Sequence, residues 1–208
     1  ERAQRKVEEN HFGVRKRLVE YDDVMNSQRE VIYTRRRSAL IGDRIDVDVL
    51  NMISDYSGMF VSDNRELTYE DFCEELTRVL AVTPSFDEQE FQRMSKDKLA
   101  ASIEASLHET LQRRSDTLVE ACWPIINHVY ETKRMFYQNI ALPISDGKRV
   151  YTVLVNLQKA YESHGKEIVR AVEKTITLRV IDEYWKDHLR DMDDLKQSVQ
   201  NAAYEQKD

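Results

Sequence analysis

Hydrophobic residues recur at helical spacing along most of this chain, and the longest such run stands at its beginning. Between Arg2 and Ile41 there is no proline, and Gly13 is the only glycine. Two interleaved seven-residue rows cover one side of this run: Val7, Val14 and Tyr21, and His11, Leu18, Met25, Ile32 and Ala39. Beside them stand Phe12, Val19, Val24, Val31 and Tyr33. The pattern predicts one long helix whose apolar face is wider than a two-stranded coiled coil needs, so it must be covered on more than one side.

Shorter helical patterns follow between residues 43 and 94. Asp43 is a candidate cap for a second helix with an apolar face from Val49 to Phe60. Thr68 with Asp71 predicts the start of a third helix. Ser85 with Glu88 predicts a capping box for a short fourth helix through Met94.

A longer helix is predicted from about Ser95, because leucine and isoleucine then recur every four residues. Pro124 interrupts this pattern and is predicted to bend or break the helix, since proline lacks the backbone donor and clashes with the previous turn. The stripe consists of Leu99, Ile103, Leu107, Leu111, Leu118, Cys122 and Ile126.

The texture changes between residues 139 and 155. Two short apolar runs, Ile140 to Ile144 and Val150 to Val155, flank Asp146-Gly147, which is a typical hairpin turn. We therefore predict a β-hairpin, although Tyr151 to Ala160 also fits a helix. A short helix is predicted from Asn156 to His164, closed by Gly165.

The last helix is predicted from Lys166 to Gln200, followed by a polar loop. Its apolar row passes through Trp185, His188 and Met192. Tyr204 is the aromatic residue of the predicted loop, where it either contacts a partner chain or folds back on its own helix. The chain starts and stops within helical or polar pattern, so we expect it to be part of a larger protein.

Composition favours long helices and argues against several functions. Glycine and proline number only 5 and 3 of 208 residues, so few turns are available. The fold class is therefore predicted as mainly all-α, a long first helix packed against a long last helix. A net charge of −7 argues against a general nucleic-acid binder. The chain contains no run of about 18 apolar residues, so no membrane span is predicted. Cys73 and Cys122 are far apart and indicate neither a zinc site nor a disulfide framework.

No motif predicts catalysis by this chain. There is no glycine-rich phosphate loop, no nucleophile elbow and no zinc-protease motif. Adjacent carboxylates such as Asp22 and Asp23 diverge by about 100° on a helix, which disfavours a metal site. His11 and His188 lie on apolar seams and are interpreted as packed residues. We therefore predict no catalytic residue and no metal ligand.

Two separate stretches resemble the SecA family of preprotein-translocating ATPases. The first helix carries Gln4-Arg5-Lys6-Val7-Glu8 and, further on, Glu20-Tyr21-Asp22-Asp23-Val24-Met25-Asn26, which resemble the family's scaffold helix. The other end carries Trp185-Lys186-Asp187-His188-Leu189 and Tyr204-Glu205-Gln206-Lys207-Asp208, which resemble the first helix and tip of its two-helix finger. Together they cover about 70 residues.

The resemblance implies three parts and a set of contacts. Residues 1–41 would be the long scaffold helix, 42–165 the helical wing with the predicted hairpin as a departure, and 166–208 the scaffold continuation and first finger helix with its tip. Asn201, Tyr204 and Gln206 would contact the moving polypeptide and the membrane channel. Trp185 and His188 would serve packing or the restraint of ATP hydrolysis.

The same resemblance implies the partners and the location. They are the preprotein, the membrane protein-conducting channel, and the protein's own nucleotide-binding and preprotein-binding domains, with an anionic lipid surface as a further one and nucleic acid excluded. ATP and magnesium would bind the parent protein, and no cofactor would bind this part. The location would be cytoplasmic, at the inner membrane of a bacterium. The alternative is a self-contained helical adaptor or coiled-coil protein, which would form a defined dimer.

Overall fold

The computed structural model describes residues 2–41, 44–145 and 147–205, with the backbone alone for residues 3, 6, 7, 9, 10 and 200–205. These residues form mostly helices and one antiparallel hairpin, so the predicted fold class is confirmed, and with it the hairpin. The elements are α1 (Arg2–Ile41), α2 (Ile45–Asn64), α3 (Tyr69–Leu80), α4 (Glu88–Arg93), α5 (Lys96–Lys133), β1 (Asn139–Ser145), β2 (Val150–Asn156), α6 (Leu157–Glu162) and α7 (Lys166–Glu205).

The chain divides into two compact units. The first contains α1 and the part of α7 from Ile176 onward, and the second contains residues 44–175. The assignment of residues 1–41, 42–165 and 166–208 to scaffold, wing and finger stays a prediction. In the part of the chain that the structure describes, no helix is both long and apolar enough to cross a membrane.

An aromatic cluster forms the core between α2 and the start of α5. Phe72 of α3 is fully buried, with its ring 5.4 Å from that of Phe60 and 4.9 Å from that of Phe91. Arg65 donates to the backbone carbonyls of Phe91 and Met94 at 3.0 and 3.2 Å, and its guanidinium lies 4.5 Å from the centre of the Phe91 ring. This arginine therefore fastens the end of α2 to α4.

The hairpin builds a second core with the C-terminal part of α5. In its antiparallel register Leu142 lies opposite Val153, and both side chains are buried, whereas Leu154 points to solvent. The alternation is that of a sheet with one packed face. The core members are Ile126, Leu142, Val153, Val155, Leu157, Ala160 and Ile168.

Most predicted helix starts are confirmed, and one is wrong. Thr68 and Ser95 cap α3 and α5 as predicted. The fourth helix is capped by Asp87, whose Oδ1 accepts from the Glu90 backbone N–H at 2.8 Å, instead of by Ser85. The reason is a hydrophobic staple: the residues just before the cap and four after it, Phe86 and Phe91, are both buried with ring centres 6.3 Å apart.

Within the described residues, helix α5 is unbroken at Pro124 and helix α7 continues past Gln200. Helix α5 is continuous through Pro124 and is not broken there, because Trp123 and Ile126 pack against the second core on either side of it. Helix α7 continues to Glu205, so the predicted loop after Gln200 is wrong for residues 201–205. Ala202 and Ala203, the best helix formers, explain this extension. The predicted Asp43 cap lies outside the described residues, and the N-cap position of α2 is Arg44.

Gly165 closes α6 as predicted, for two reasons. It lies at φ +89°, in the left-handed region that favours glycine. A Cβ atom built on it would also come within 2.6 Å of Val119 Cγ1. The chain therefore passes from α6 into α7 where no larger residue fits.

Candidate functional site on the paired long helices

Polar contacts between described residues join α1 to α7 within the first unit. Arg36 pairs with Asp182, Gln28 with His188, and Tyr21 with Lys196. As the position on α1 decreases, its partner on α7 moves toward the C-terminus. The two helices, each of 40 residues, therefore run antiparallel along this part of their length.

The Arg36–Asp182 salt bridge is bidentate. Arg36 Nε lies 2.9 Å from Asp182 Oδ1, and Nη2 donates to Oδ2 at 3.1 Å. Both side chains are substantially exposed, so the pair sets register more than it adds stability. Helix α1 runs to Ile41 and its last turn contains no basic residue, so Arg36 serves this pairing rather than the end of the helix dipole.

His188 connects the two helices at the middle of the pair. Its Nε2 lies 2.9 Å from Gln28 Oε1, and because an amide oxygen only accepts, Nε2 carries the proton and donates. The ring of Trp185, one turn earlier, lies 5.5 Å from the imidazole. Both residues are half-buried, as expected for seam positions. The sequence-based placement of His11 on the same seam is wrong, because His11 is exposed.

The exposure of His11 follows from the register of the pair. Tyr21 lies opposite Lys196, so a position ten residues earlier on α1 falls about ten residues further along α7, past its end at Glu205. Nothing among the described residues of α7 remains to cover it.

Tyr21 lies between a cation and two carboxylates. Lys196 Nζ is 4.8 Å from the centre of its ring. Desolvation is the main cause that raises the pKa of the phenol, and the charges of Asp193 and Asp22 raise it further. The face of the ring is available to the lysine ammonium as a cation–π partner.

The wide apolar face of α1 is divided into a covered part and an open part. Met25 and Ala39 are buried, and Leu18 and Ile32 are half-buried beside α7. On the other side of the helix Phe12, Val19 and Val31 are 64%, 58% and 53% exposed. Val19 and Val31, six residues before and six residues after Met25, point about 120° away from it in opposite senses around the helix axis. The described part of α7 thus covers one side of α1 and leaves another open.

The predicted contact residues are placed unevenly. Asn201 and Tyr204 lie in the last turns of α7, where the structure describes only the backbone, and Gln206 lies outside the described residues. No three His, Cys, Asp or Glu side chains converge as metal ligands among the described residues. Sequence reasoning missed Gln28, Arg36 and Asp182, since no local pattern links residues 146 to 160 positions apart.

Two long antiparallel helices, joined by an apolar seam with polar contacts along it and bearing exposed apolar side chains elsewhere on α1, have the form of a helical scaffold element. The SecA Wing and Scaffold domain model matches residues 1–208. The chain therefore belongs to the SecA wing and scaffold family.

Curated relatives of this family align with the whole length of the chain. It is 51% identical over 208 residues to the protein translocase subunit SecA of Bacteroides thetaiotaomicron, and 50% identical to that of Bacteroides fragilis. The SecA subunit of Porphyromonas gingivalis is 49% identical over 209 residues. Each alignment covers 100% of this chain but only 18% or 19% of the relative, so the chain spans about a fifth of the length of these proteins. No solved structure matches the chain.

Proposed function

We propose that this chain is the scaffold, wing and first finger helix of an ATPase that drives preproteins through a membrane channel. The observation that carries the proposal is the open apolar face of α1, opposite the seam with α7. Phe12 and Val19, seven residues apart, lie on one line along the helix, and Val31 is exposed on the other flank of the seam. A helix that exposes these side chains is suited to bury them against further domains. The relatives, named as protein translocase subunits, are long enough to supply such domains.

In this proposal the covering domains are the nucleotide-binding and preprotein-binding domains of the same protein. ATP and magnesium bind there, and the present chain binds neither. Its own part is mechanical: α1 ties the domains together, and α7 carries a displacement along its axis. The chain is accordingly non-catalytic.

The tip of α7 contacts the transported polypeptide and the channel through Asn201, Tyr204 and Gln206. The helical backbone as far as Glu205 supports this, because positions 201 and 204 then belong to a continuous helix that His188 and Asp182 join to α1. Tyrosine suits contact with varied sequences, since it offers apolar area together with one hydroxyl. Trp185 and His188 link the tip to α1 through Gln28.

The protein acts from the cytoplasmic side of the bacterial inner membrane and binds it peripherally, through the channel and anionic lipid. Nucleic acid is not a partner, in keeping with the net charge of −7. A stable dimer of the isolated chain would favour the adaptor alternative, and ATP turnover by the purified chain would contradict the non-catalytic role.

The sharpest test is Tyr204→Ala in the complete protein. Preprotein transport into membrane vesicles should fall by about tenfold, the effect of losing an aromatic contact residue, while the circular dichroism spectrum stays unchanged. Tyr184→Ala is the matched control, because Tyr184 is a 74% exposed tyrosine on the same helix. Unchanged transport in Tyr204→Ala, or an equal loss in the control, would contradict the tip-contact role.

A further inference from the structure

The most exposed large apolar residues of the described chain lie outside the helix pair, in the second unit. Met135 and Phe136, between α5 and β1, are 88% and 81% exposed, and Tyr137 follows them. The turn is ordered: the backbone N–H groups of Phe136 and Tyr137 both donate to the Lys133 carbonyl, at 2.9 and 3.2 Å. A fixed turn therefore presents these side chains to solvent. We call residues 135–137 the apolar turn.

A cleft of about 490 Å³ opens beside the apolar turn. This volume falls within the range of about 300–1,000 Å³ that is typical of ligand-binding clefts. Amide side chains line it, from Gln138, Asn156 and Gln158, together with Tyr130 and Arg134. Asn156 Oδ1 accepts from the Lys159 N–H, and Gln158 Nε2 donates to Glu162. These hydrogen bonds leave the Asn156 NH2 group and the Gln158 side-chain carbonyl available to a ligand. Such groups recognise the C=O and N–H of a peptide backbone.

Arg134 is the only charged residue that lines the cleft in the described part of the chain. Its guanidinium lies 5.6 Å from the centre of the Tyr130 ring. Tyr130 stacks on Tyr161 at 3.9 Å, and Tyr161 stacks on Trp123 at 5.8 Å. These stacked rings form an aromatic surface beside the guanidinium. No carboxylate or carbonyl of the described residues accepts a hydrogen bond from Arg134, so its donors are available to an anion.

We propose that the cleft and the apolar turn form a binding site for an extended polypeptide segment in which a carboxylate lies next to a large apolar side chain. The carboxylate accepts from Arg134, the amides hold the backbone, and the apolar side chain packs on Phe136. An anionic bilayer fits less well, because amide groups would lose their hydration there and stable electrostatic attachment takes a cluster of basic residues, whereas only Lys133 and Arg134 flank the turn. The proposal does not depend on the scaffold role.

Fluorescence anisotropy with three labelled nine-residue peptides tests the site on the 208-residue chain. The peptides share Gly-Ser flanks and have Asp-Phe-Leu, Asn-Phe-Leu or Asp-Ser-Ser at the centre. A charge-assisted hydrogen bond predicts about tenfold tighter binding of the Asp-Phe-Leu peptide than of the Asn-Phe-Leu peptide. Loss of the apolar contact predicts about tenfold weaker binding of the Asp-Ser-Ser peptide.

Two variants assign these preferences to residues. Arg134→Gln should abolish the preference for aspartate, and Phe136→Ser should weaken both Phe-Leu peptides alike. Matched controls are Arg114→Gln, an exposed arginine of α5, and Leu154→Ser, a 71% exposed apolar residue of β2, and both should bind as the unsubstituted chain does. All four positions are exposed, so folding is retained.

Several outcomes would overturn the proposal. These are no binding of any peptide at millimolar concentration, an aspartate preference that survives in Arg134→Gln, or equal losses in the controls. A parallel arm uses phosphatidylglycerol–phosphatidylcholine vesicles. Vesicle binding that is lost in Phe136→Ser, without peptide binding, would assign the apolar turn to a membrane surface and refute the peptide site.

Discussion

Replacing a residue of the seam and a residue of the open face of α1 gives the most direct test of how that helix is used. Met25 is 7% exposed beside α7, and Phe12 is 64% exposed. Truncating a buried methionine to alanine lowers the free energy of unfolding by about 2–5 kcal/mol. A pair of helices can close part of the gap, so Met25→Ala should lower the free energy of unfolding of the first unit by about 2 kcal/mol. Phe12→Ala should change it by less than about 0.5 kcal/mol.

The gap between the two variants should narrow in the complete protein, where the proposed covering domains are present. Fully burying a phenylalanine is worth about 1.5–3 kcal/mol, and roughly two thirds of this ring remains to be buried. Phe12→Ala should therefore cost about 1–2 kcal/mol there, although it costs almost nothing in the isolated chain. The difference between the cost of Phe12→Ala in the complete protein and in the isolated chain measures how much the covering domains bury this ring.

The assay is urea unfolding followed by tryptophan fluorescence. Trp123 lies in the second unit and Trp185 in the first, so a Trp123→Phe background leaves a reporter of the first unit alone. If Phe12→Ala costs as much as Met25→Ala in the isolated chain, the open face is already covered. If it costs nothing in the complete protein, no domain covers that face. The first result would refute the division of α1 into seam and open face, and the second would refute the proposal that further domains cover the open face.

Local signals were enough to predict most of the elements. The scarcity of glycine and proline indicated long helices, and Thr68 and Ser95 marked helix starts through their own hydroxyl groups. The hairpin followed from two β-branched runs and a turn, which all lie within 18 residues. Each of these signals acts within one or two turns of the chain, where sequence distance and spatial distance agree.

Competing local signals were harder to resolve. Ser85 with Glu88 and Asp87 with Glu90 both fit a capping box, offset by two residues. The hydrophobic staple between Phe86 and Phe91 selects the Asp87–Glu90 box, and the spacing of these two phenylalanines is a sequence signal for it. At Pro124 the burial of Ile126 outweighs the loss of one backbone hydrogen bond, and only the tertiary core shows that.

The register of α1 against α7 could not be predicted. Seven-residue rows define which side of each helix is apolar, but sliding one helix by a full turn preserves that match. The contacts that fix the register, Arg36 with Asp182 and Gln28 with His188, join polar residues that no periodicity singles out. The cleft beside Arg134 was missed for the same reason, because α5, β2 and α6 meet there only in the folded chain.

Two further predictions concern the second unit. Phe72→Ala should lower its free energy of unfolding by about 3–5 kcal/mol, because the ring is fully buried among three others, whereas Phe136→Ala, at an exposed position, should change it by less than about 0.5 kcal/mol in the same urea assay. Glu173→Gln tests a carboxyl whose pKa is raised above its ordinary 4.5, mainly by desolvation and further by the charge of Asp46. A raised pKa means that the folded state binds the proton more tightly than the unfolded state does. The folded chain with Glu173 therefore loses stability as the pH rises from the ordinary pKa through the raised one. The glutamine variant has no such charge, and its midpoint of unfolding should exceed that of the unsubstituted chain at pH 7 and match it below the ordinary pKa. Glu131→Gln, at an exposed position of α5, should show no such pH-dependent gain, and a Glu173→Gln variant less stable at pH 7 would show that the charged carboxylate is stabilised in the fold.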